Sequence, residues 1–347
     1  MRLRLIALTM VLGIVFAALL SSHGQPASSQ QQNIRKQPAC TMYCGSGPDT
    51  FSLGAKPCWG GPLPAGGGRL PGPLSFGPGI FLAPNQTAKA IKKLTMPPPA
   101  GGAKTIVARD VPWSLYAKTA PALADVSQGA LANCPLASLL AALAYTGSGQ
   151  KLIQSIVAEQ AGVVETDLSG VADRLEEPPS GNRIMTTRYF TVKLGGKTFE
   201  VSGVLYTDDA DRNWTPAYMR SPTNIIWPCV IEKAYAVKEG GYENLDSKGL
   251  TANAIWEVVV GAKPGGFEVG AKTDDAKIRA AAENAARTPT IAASKDEATD
   301  VTAWHGFAVL GMKDGGIELY DPMMVRRQTV SLAVFHKNFQ AVLFGTP

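Results

Sequence analysis

Residues 128–145 read Gln-Gly-Ala-Leu-Ala-Asn-Cys-Pro-Leu-Ala-Ser-Leu-Leu-Ala-Ala-Leu-Ala-Tyr and set a cysteine, Cys134, at the mouth of an apolar helix. Pro135 suits a first helical turn, where its missing N–H leaves no bond unmade. Leu136, Leu139, Leu140 and Leu143 follow at helical spacing and supply a buried face. Cys134 thus falls at the N-cap or beside it. The positive end of the helix dipole favours an anion there, and the thiolate is the nucleophilic form of the side chain. Most free cysteines only fill space in a core, so a chemical role for Cys134 depends on a partner elsewhere in the chain.

A thiolate nucleophile needs a base, and the chain has three histidines: His23, His305 and His336. His23 lies in a segment expected to be removed, and His336 has no partner signal around it. His305 lies in 301–311, an alternating stretch rich in Trp, Phe and Val that reads as a strand. Lys313-Asp-Gly-Gly316 is a hairpin turn signal, and 317–320 reads as the return strand ending at Asp321-Pro322. A hairpin brings its outer ends together, so His305 and Asp321 are expected to be neighbours. A carboxylate beside an imidazole fixes its tautomer and stabilises the imidazolium. Trp304 reads equally as a wall of the cleft or as core.

Three blocks, in order across about 105–347, resemble the protease core of the calpains, within the papain-like cysteine peptidases. The first is 128–143, where a Gln and Gly precede a cysteine that opens a Leu/Ala-rich helix. The second is 227–245, with Glu232-Lys-Ala-Tyr-Ala236 followed by Gly241-Tyr-Glu243; Val201 to Asp209 ahead of it is similar to the family's strand into an acidic turn. The third joins Trp304-His-Gly-Phe-Ala-Val309 to Leu319-Tyr-Asp-Pro322, similar to the family's Gly-His-Ala-Tyr-Ser-Val and Arg-Asn-Pro-Trp. The resemblance implies Cys134 as nucleophile, His305 as general base and acid, Gln128 as the amide donating to the oxyanion, and Asp321 in the place of the orienting Asn. It implies peptide hydrolysis, with a protein or peptide as substrate. Two positions depart from the pattern: Pro135 replaces Trp, and Asp321-Pro-Met323 replaces Asn-Pro-Trp. Asp in the third place is common in transglutaminase-like proteins, which keeps an acyl transferase open as an alternative. A non-catalytic binding protein on the same fold is the other. No cofactor is required. No loop has the calcium-ligand spacing of an EF-hand, and the calcium-sensing C-terminal module of animal calpains is not expected. Calcium sites within a protease core are irregular in spacing, so calcium use stays open.

The fold class expected is α+β, a papain-like two-lobe arrangement with a helical lobe carrying Cys134 and an antiparallel sheet lobe carrying His305. Helices are expected at 135–145, 150–161, 227–238 and 274–287, and a hairpin at 189–205 turning on Gly195-Gly196. Glu232 and Lys233, charges on a helix with an apolar face, are expected to be exposed or paired.

Ahead of this core, Arg2 and Arg4 precede an apolar run, Leu5 to Leu20, of 16 residues. That is short of the roughly 20 residues of a membrane span and fits a signal-peptide core, with 1–24 removed. The protein is then secreted or periplasmic, with no stable membrane association after cleavage. An uncleaved anchor is the rival reading. Residues 25–104 are rich in Gly and Pro and read as a tether or as a propeptide lying in the cleft. Cys40, Cys44 and Cys58 suggest a local disulfide in an exported chain, with one of the three either meeting Cys229 or staying free. Cys229, in an apolar run, reads as a buried structural thiol. Asn85 and Asn213 begin tripeptides of the glycosylation pattern. The formal charge of +5 loses two with Arg2 and Arg4, which is too small a bias for nucleic acid, and no basic aromatic motif is present.

Overall fold

The apolar run after Cys134 forms the helix Cys134–Tyr145, and everything in it from Cys134 through Ala144 is buried. A helix that is apolar all round has to be enclosed on every side. Each of its four leucines contributes on the order of 2 kcal/mol by leaving water. The computed structural model describes residues 91–101, 106–117, 120–175, 184–208, 214–247 and 251–347, together with the backbone of Thr41–Cys44 and Phe51–Gly54, which pair antiparallel. The expectations for 1–24, for the pairing of Cys40, Cys44 and Cys58, and for Asn85 and Asn213 concern residues outside those described.

The architecture is α+β. Six antiparallel strands lie in the order Gly265–Glu268, Phe339–Phe344, Thr290–Ser294, Gly306–Lys313, Gly316–Asp321 and Arg326–Val330. Successive strand residues face opposite sides, and this sheet uses both. Ala308, Leu310 and Tyr320 join the hydrophobic cluster around the Cys134 helix. Phe307, Val309, Ile317 and Leu319 join a second cluster with Ile278 and Phe335, on the helices Asp275–Asn284 and Leu332–Asn338. The first cluster also takes in the helices Gly147–Ile156, Trp227–Glu239 and Ala252–Val260 and the hairpin Tyr189–Leu194 with Lys197–Ser202, which turns on Gly195 and Gly196.

Several elements differ in extent from expectation. The helix expected over 150–161 ends at Ile156, because Val157–Glu159 becomes a strand beside Tyr189–Leu194. The strand expected to run through Leu205 breaks at Gly203, and Val204–Asp208 pairs instead with Ile106–Asp110. His305 lies just before the strand Gly306–Lys313, not within it.

The folded body also begins ahead of residue 105. Lys93–Thr95 runs parallel to Val164–Asp167 and Met96 is buried. The segment that follows, Pro97 to Ala100, is held by three tyrosines. The Tyr206 hydroxyl donates to the Pro97 carbonyl at 2.8 Å, the Tyr242 N–H donates to the Pro98 carbonyl at 2.8 Å, and the Ala100 N–H donates to the Tyr218 hydroxyl at 2.9 Å. Residues 91–101 are therefore part of the folded body, not tether. A chain starting at residue 91 should melt like the full-length protein. One starting at residue 104 should lose roughly 3–5 kcal/mol, from one buried methionine and these hydrogen bonds, and melt about 10 °C lower. Equal melting temperatures for the two would contradict this packing.

Candidate active site

Asp321 ends the strand Gly316–Asp321 and closes on His305, which precedes the neighbouring strand. The Nε2 of His305 lies 2.9 Å from Oδ1 of Asp321, and both side chains are without solvent exposure. Oδ1 also accepts the backbone N–H groups of Met323 and Met324, and Oδ2 accepts the Thr302 hydroxyl at 3.1 Å. Burial pushes the Asp321 carboxyl up. The imidazolium charge of His305 and the hydrogen bonds from His305, Met324 and Thr302 together outweigh it, and the group ends below its ordinary value of 3.8. An ionised carboxylate only accepts, so Nε2 carries the proton and Nδ1 is the basic nitrogen of the neutral ring. Nδ1 is buried with no hydrogen-bond partner among the described residues.

The backbone of His305 is fixed as firmly as its ring. Its N–H donates to the Ser294 hydroxyl at 2.9 Å and its carbonyl accepts the Ser294 N–H at 2.9 Å. Trp304, half-buried, takes φ +50°, a left-handed conformation uncommon outside glycine, and its N–H donates to the Lys295 carbonyl. This turn delivers His305 to the start of the interior strand that packs on the Cys134 helix. The following residue has to be glycine: a Cβ on Gly306 would lie 2.8 Å from the Ser138 hydroxyl and 3.0 Å from the Cys134 carbonyl oxygen. The histidine strand thus rests directly on the first turn of the cysteine helix.

Cys134 is the first residue of its helix and fully buried. No hydrogen bond joins its thiol to His305 among the described residues, and with His305 and Asp321 also fully buried, an incoming molecule reaches the sulfur only when covering groups move aside. Gln128 is buried as well. Its backbone N–H donates to the Pro322 carbonyl at 2.9 Å, which ties it to the residue after Asp321, and its side-chain amide donates to the Leu131 carbonyl at 2.7 Å. Gly129 permits the close approach: a Cβ there would fall 1.7 Å from the Tyr218 carbonyl oxygen. The four residues singled out in the sequence are therefore carried on segments that touch one another.

Glu232 and Lys233 correct an expectation. Neither is exposed, and they do not pair with each other. The Lys233 ammonium donates to the carbonyls of Ser202 and Val204 and to the Ser202 hydroxyl, and burial lowers it to about 7. Glu232 accepts from the Asn133 side chain and the Met219 N–H, and burial raises it to about 8. Cys229 is a buried thiol that donates to the Met219 carbonyl, and it meets no other cysteine among the described residues. Sequence reasoning missed Ser294, Thr302 and Asn133. Thr302 had a faint signal, three residues before His305; Ser294 had none. Among the described residues no group of three or more His, Cys, Asp and Glu side chains is placed to hold a metal ion.

A carboxyl whose folded-state pKa is depressed adds stability above its unfolded pKa, and that stability disappears as pH falls through the folded value. Asp321→Asn should therefore be less stable than wild type at pH 7, with the gap narrowing once pH drops below 3.8. Urea unfolding at several pH values measures this, and a gap independent of pH would contradict the ion pair.

A search of curated proteins gives no match. The family model for calpain family cysteine proteases matches residues 106–314, more than half of the chain, and takes in Gln128, Cys134 and His305 while stopping short of Asp321. With a buried histidine–carboxylate pair seated against a helix that begins in cysteine, this match settles the kinship, and the chain belongs to the calpain family of cysteine proteases.

Proposed function

We propose that the protein is a calpain-type cysteine endopeptidase with a papain-like division of labour, a helical lobe supplying Cys134 and a sheet lobe supplying His305. The observation that carries this reading is the buried His305–Asp321 contact, tied through Gly306 to the first turn of the Cys134 helix. In this mechanism Nδ1 of His305 takes the thiol proton, and the sulfur attacks the peptide carbonyl. Asp321 holds the ring in the tautomer this needs and stabilises the imidazolium that forms. Two donors face the developing oxyanion. One is the Cys134 N–H, which has no intrahelical acceptor at the first helical position; the other, the role that the family resemblance gives this residue, is the side-chain amide of Gln128. Each lowers the barrier by on the order of 3 kcal/mol. His305 then protonates the leaving amine, and water releases the acyl enzyme. We take residues 1–24 as an export leader, on the strength of its short apolar core, which makes the working compartment extracellular or periplasmic.

The test is an unfolded protein substrate offered with a labelled amine. Fragments in the wild type, abolished by Cys134→Ala and reduced about 10²- to 10⁴-fold by His305→Ala, are the expected outcome. Labelled adducts without fragments would replace the peptidase by an acyl transferase. Substrate capture by wild type and Cys134→Ala alike, with neither product, would leave a binding protein.

A further inference from the structure

Asn133 is the N-cap of the Cys134 helix, yet its side chain makes no capping bond to that helix. Asparagine at this position ordinarily accepts from a helix N–H. Here its amide is drawn the other way, and Nδ2 donates to Oε1 of Glu232 at 2.6 Å. The second oxygen of Glu232 accepts the Met219 N–H at 2.8 Å. The next residue, Arg220, exchanges two backbone hydrogen bonds with Ser127, at 2.7 and 3.0 Å, and Ala130 donates to Ala217 at 3.0 Å. Gln128 lies between Ser127 and Ala130. One carboxylate therefore grips the residue before Cys134 with one oxygen, and with the other grips the segment that braces Gln128.

We infer that Glu232 is a positioning residue that fixes the two oxyanion donors, the Cys134 N–H and the Gln128 amide, in a single frame. This rests on the peptidase reading above. Glu232 is fully buried, and no cation pairs with it among the described residues. A buried carboxyl without a cation is costly to desolvate, and its bonds from Asn133 and Met219 offset that cost only because an apolar side chain would leave both donors unpaired. The return is geometric. Oxyanion donors act only at the transition state and lose most of their effect when displaced by about 1 Å. The inference therefore concerns kcat and not substrate binding.

Glu232→Leu, Glu232→Gln and Asn133→Ala are compared with wild type in the full chain, at a temperature where each is folded by its melting curve. Two reactions are followed: peptide hydrolysis, and alkylation of Cys134 by iodoacetamide, a displacement that builds no oxyanion. Glu232→Leu and Asn133→Ala should lower kcat about 10- to 100-fold, with KM and the alkylation rate within about twofold of wild type. Glu232→Gln should recover most of the rate, because the Asn133 amide can turn over and accept from the new donor. Unchanged kcat in both disruptive variants overturns the inference. So does a parallel fall in alkylation, which marks a structural role only. If Glu232→Leu does not fold, Asn133→Ala decides by the same two readouts. Wild type that alkylates but turns over no peptide overturns the peptidase reading and this inference with it, whereas active wild type with unaffected variants overturns this inference alone.

Discussion

The contact between His305 and Asp321 has to form at the centre of the protein, out of reach of water, and much of the fold is arranged so that it can. A charge pair in that position is expensive to desolvate and is tolerated only when its remaining hydrogen-bonding capacity is filled. Asp321 meets this condition with four donors: the imidazole, the Thr302 hydroxyl and two backbone N–H groups of the turn that follows it. His305 meets it through its backbone, held by Ser294, while one ring nitrogen is left for chemistry. The strands Gly306–Lys313 and Gly316–Asp321 pair antiparallel, with one register shift between Val309 and Gly311, and that pairing sets the two side chains at the same end of the hairpin.

The nucleophile is fixed by a different force. The Cys134 helix has almost no polar surface, so the hydrophobic effect alone would bury it without specifying its rotation or the height of its first turn. Polar contacts at its N-terminal end supply that specificity. Gly306 seats the sheet on the first turn, Asn133 ties the preceding residue to Glu232, and Gln128 is tied through Pro322 to the turn after Asp321. Apolar burial gives the energy and a few buried hydrogen bonds give the alignment.

Elements with strong local signals were legible in the sequence. The Cys134 helix, the helix from Trp227, the hairpin on Gly195-Gly196 and the hairpin joining His305 to Asp321 each carry a periodicity or a turn residue that physics reads locally. The family model bears out the calpain resemblance built on them. The parts that were not legible depend on distant partners. Nothing near Ile156 announces that the helix stops there, because its successor becomes a strand only by pairing with Tyr189–Leu194. The proline run 97–99 reads as a linker until three tyrosines, more than a hundred residues away in sequence, supply partners for it. Glu232 reads as exposed or paired because a buried carboxylate is rare, and only its contacts with Asn133 and Met219 explain its place.

The central claim is that Cys134 and His305 act as one chemical unit. The most direct measurement is the rate of iodoacetamide modification at each cysteine, mapped by mass spectrometry, in wild type and in His305→Ala. The expected result is selective labelling of Cys134 over Cys229, although both are buried, with a rate that falls sharply when His305 is removed. Labelling of Cys134 at the same rate in both proteins would contradict the account and leave its thiol as a packing residue at the head of a helix.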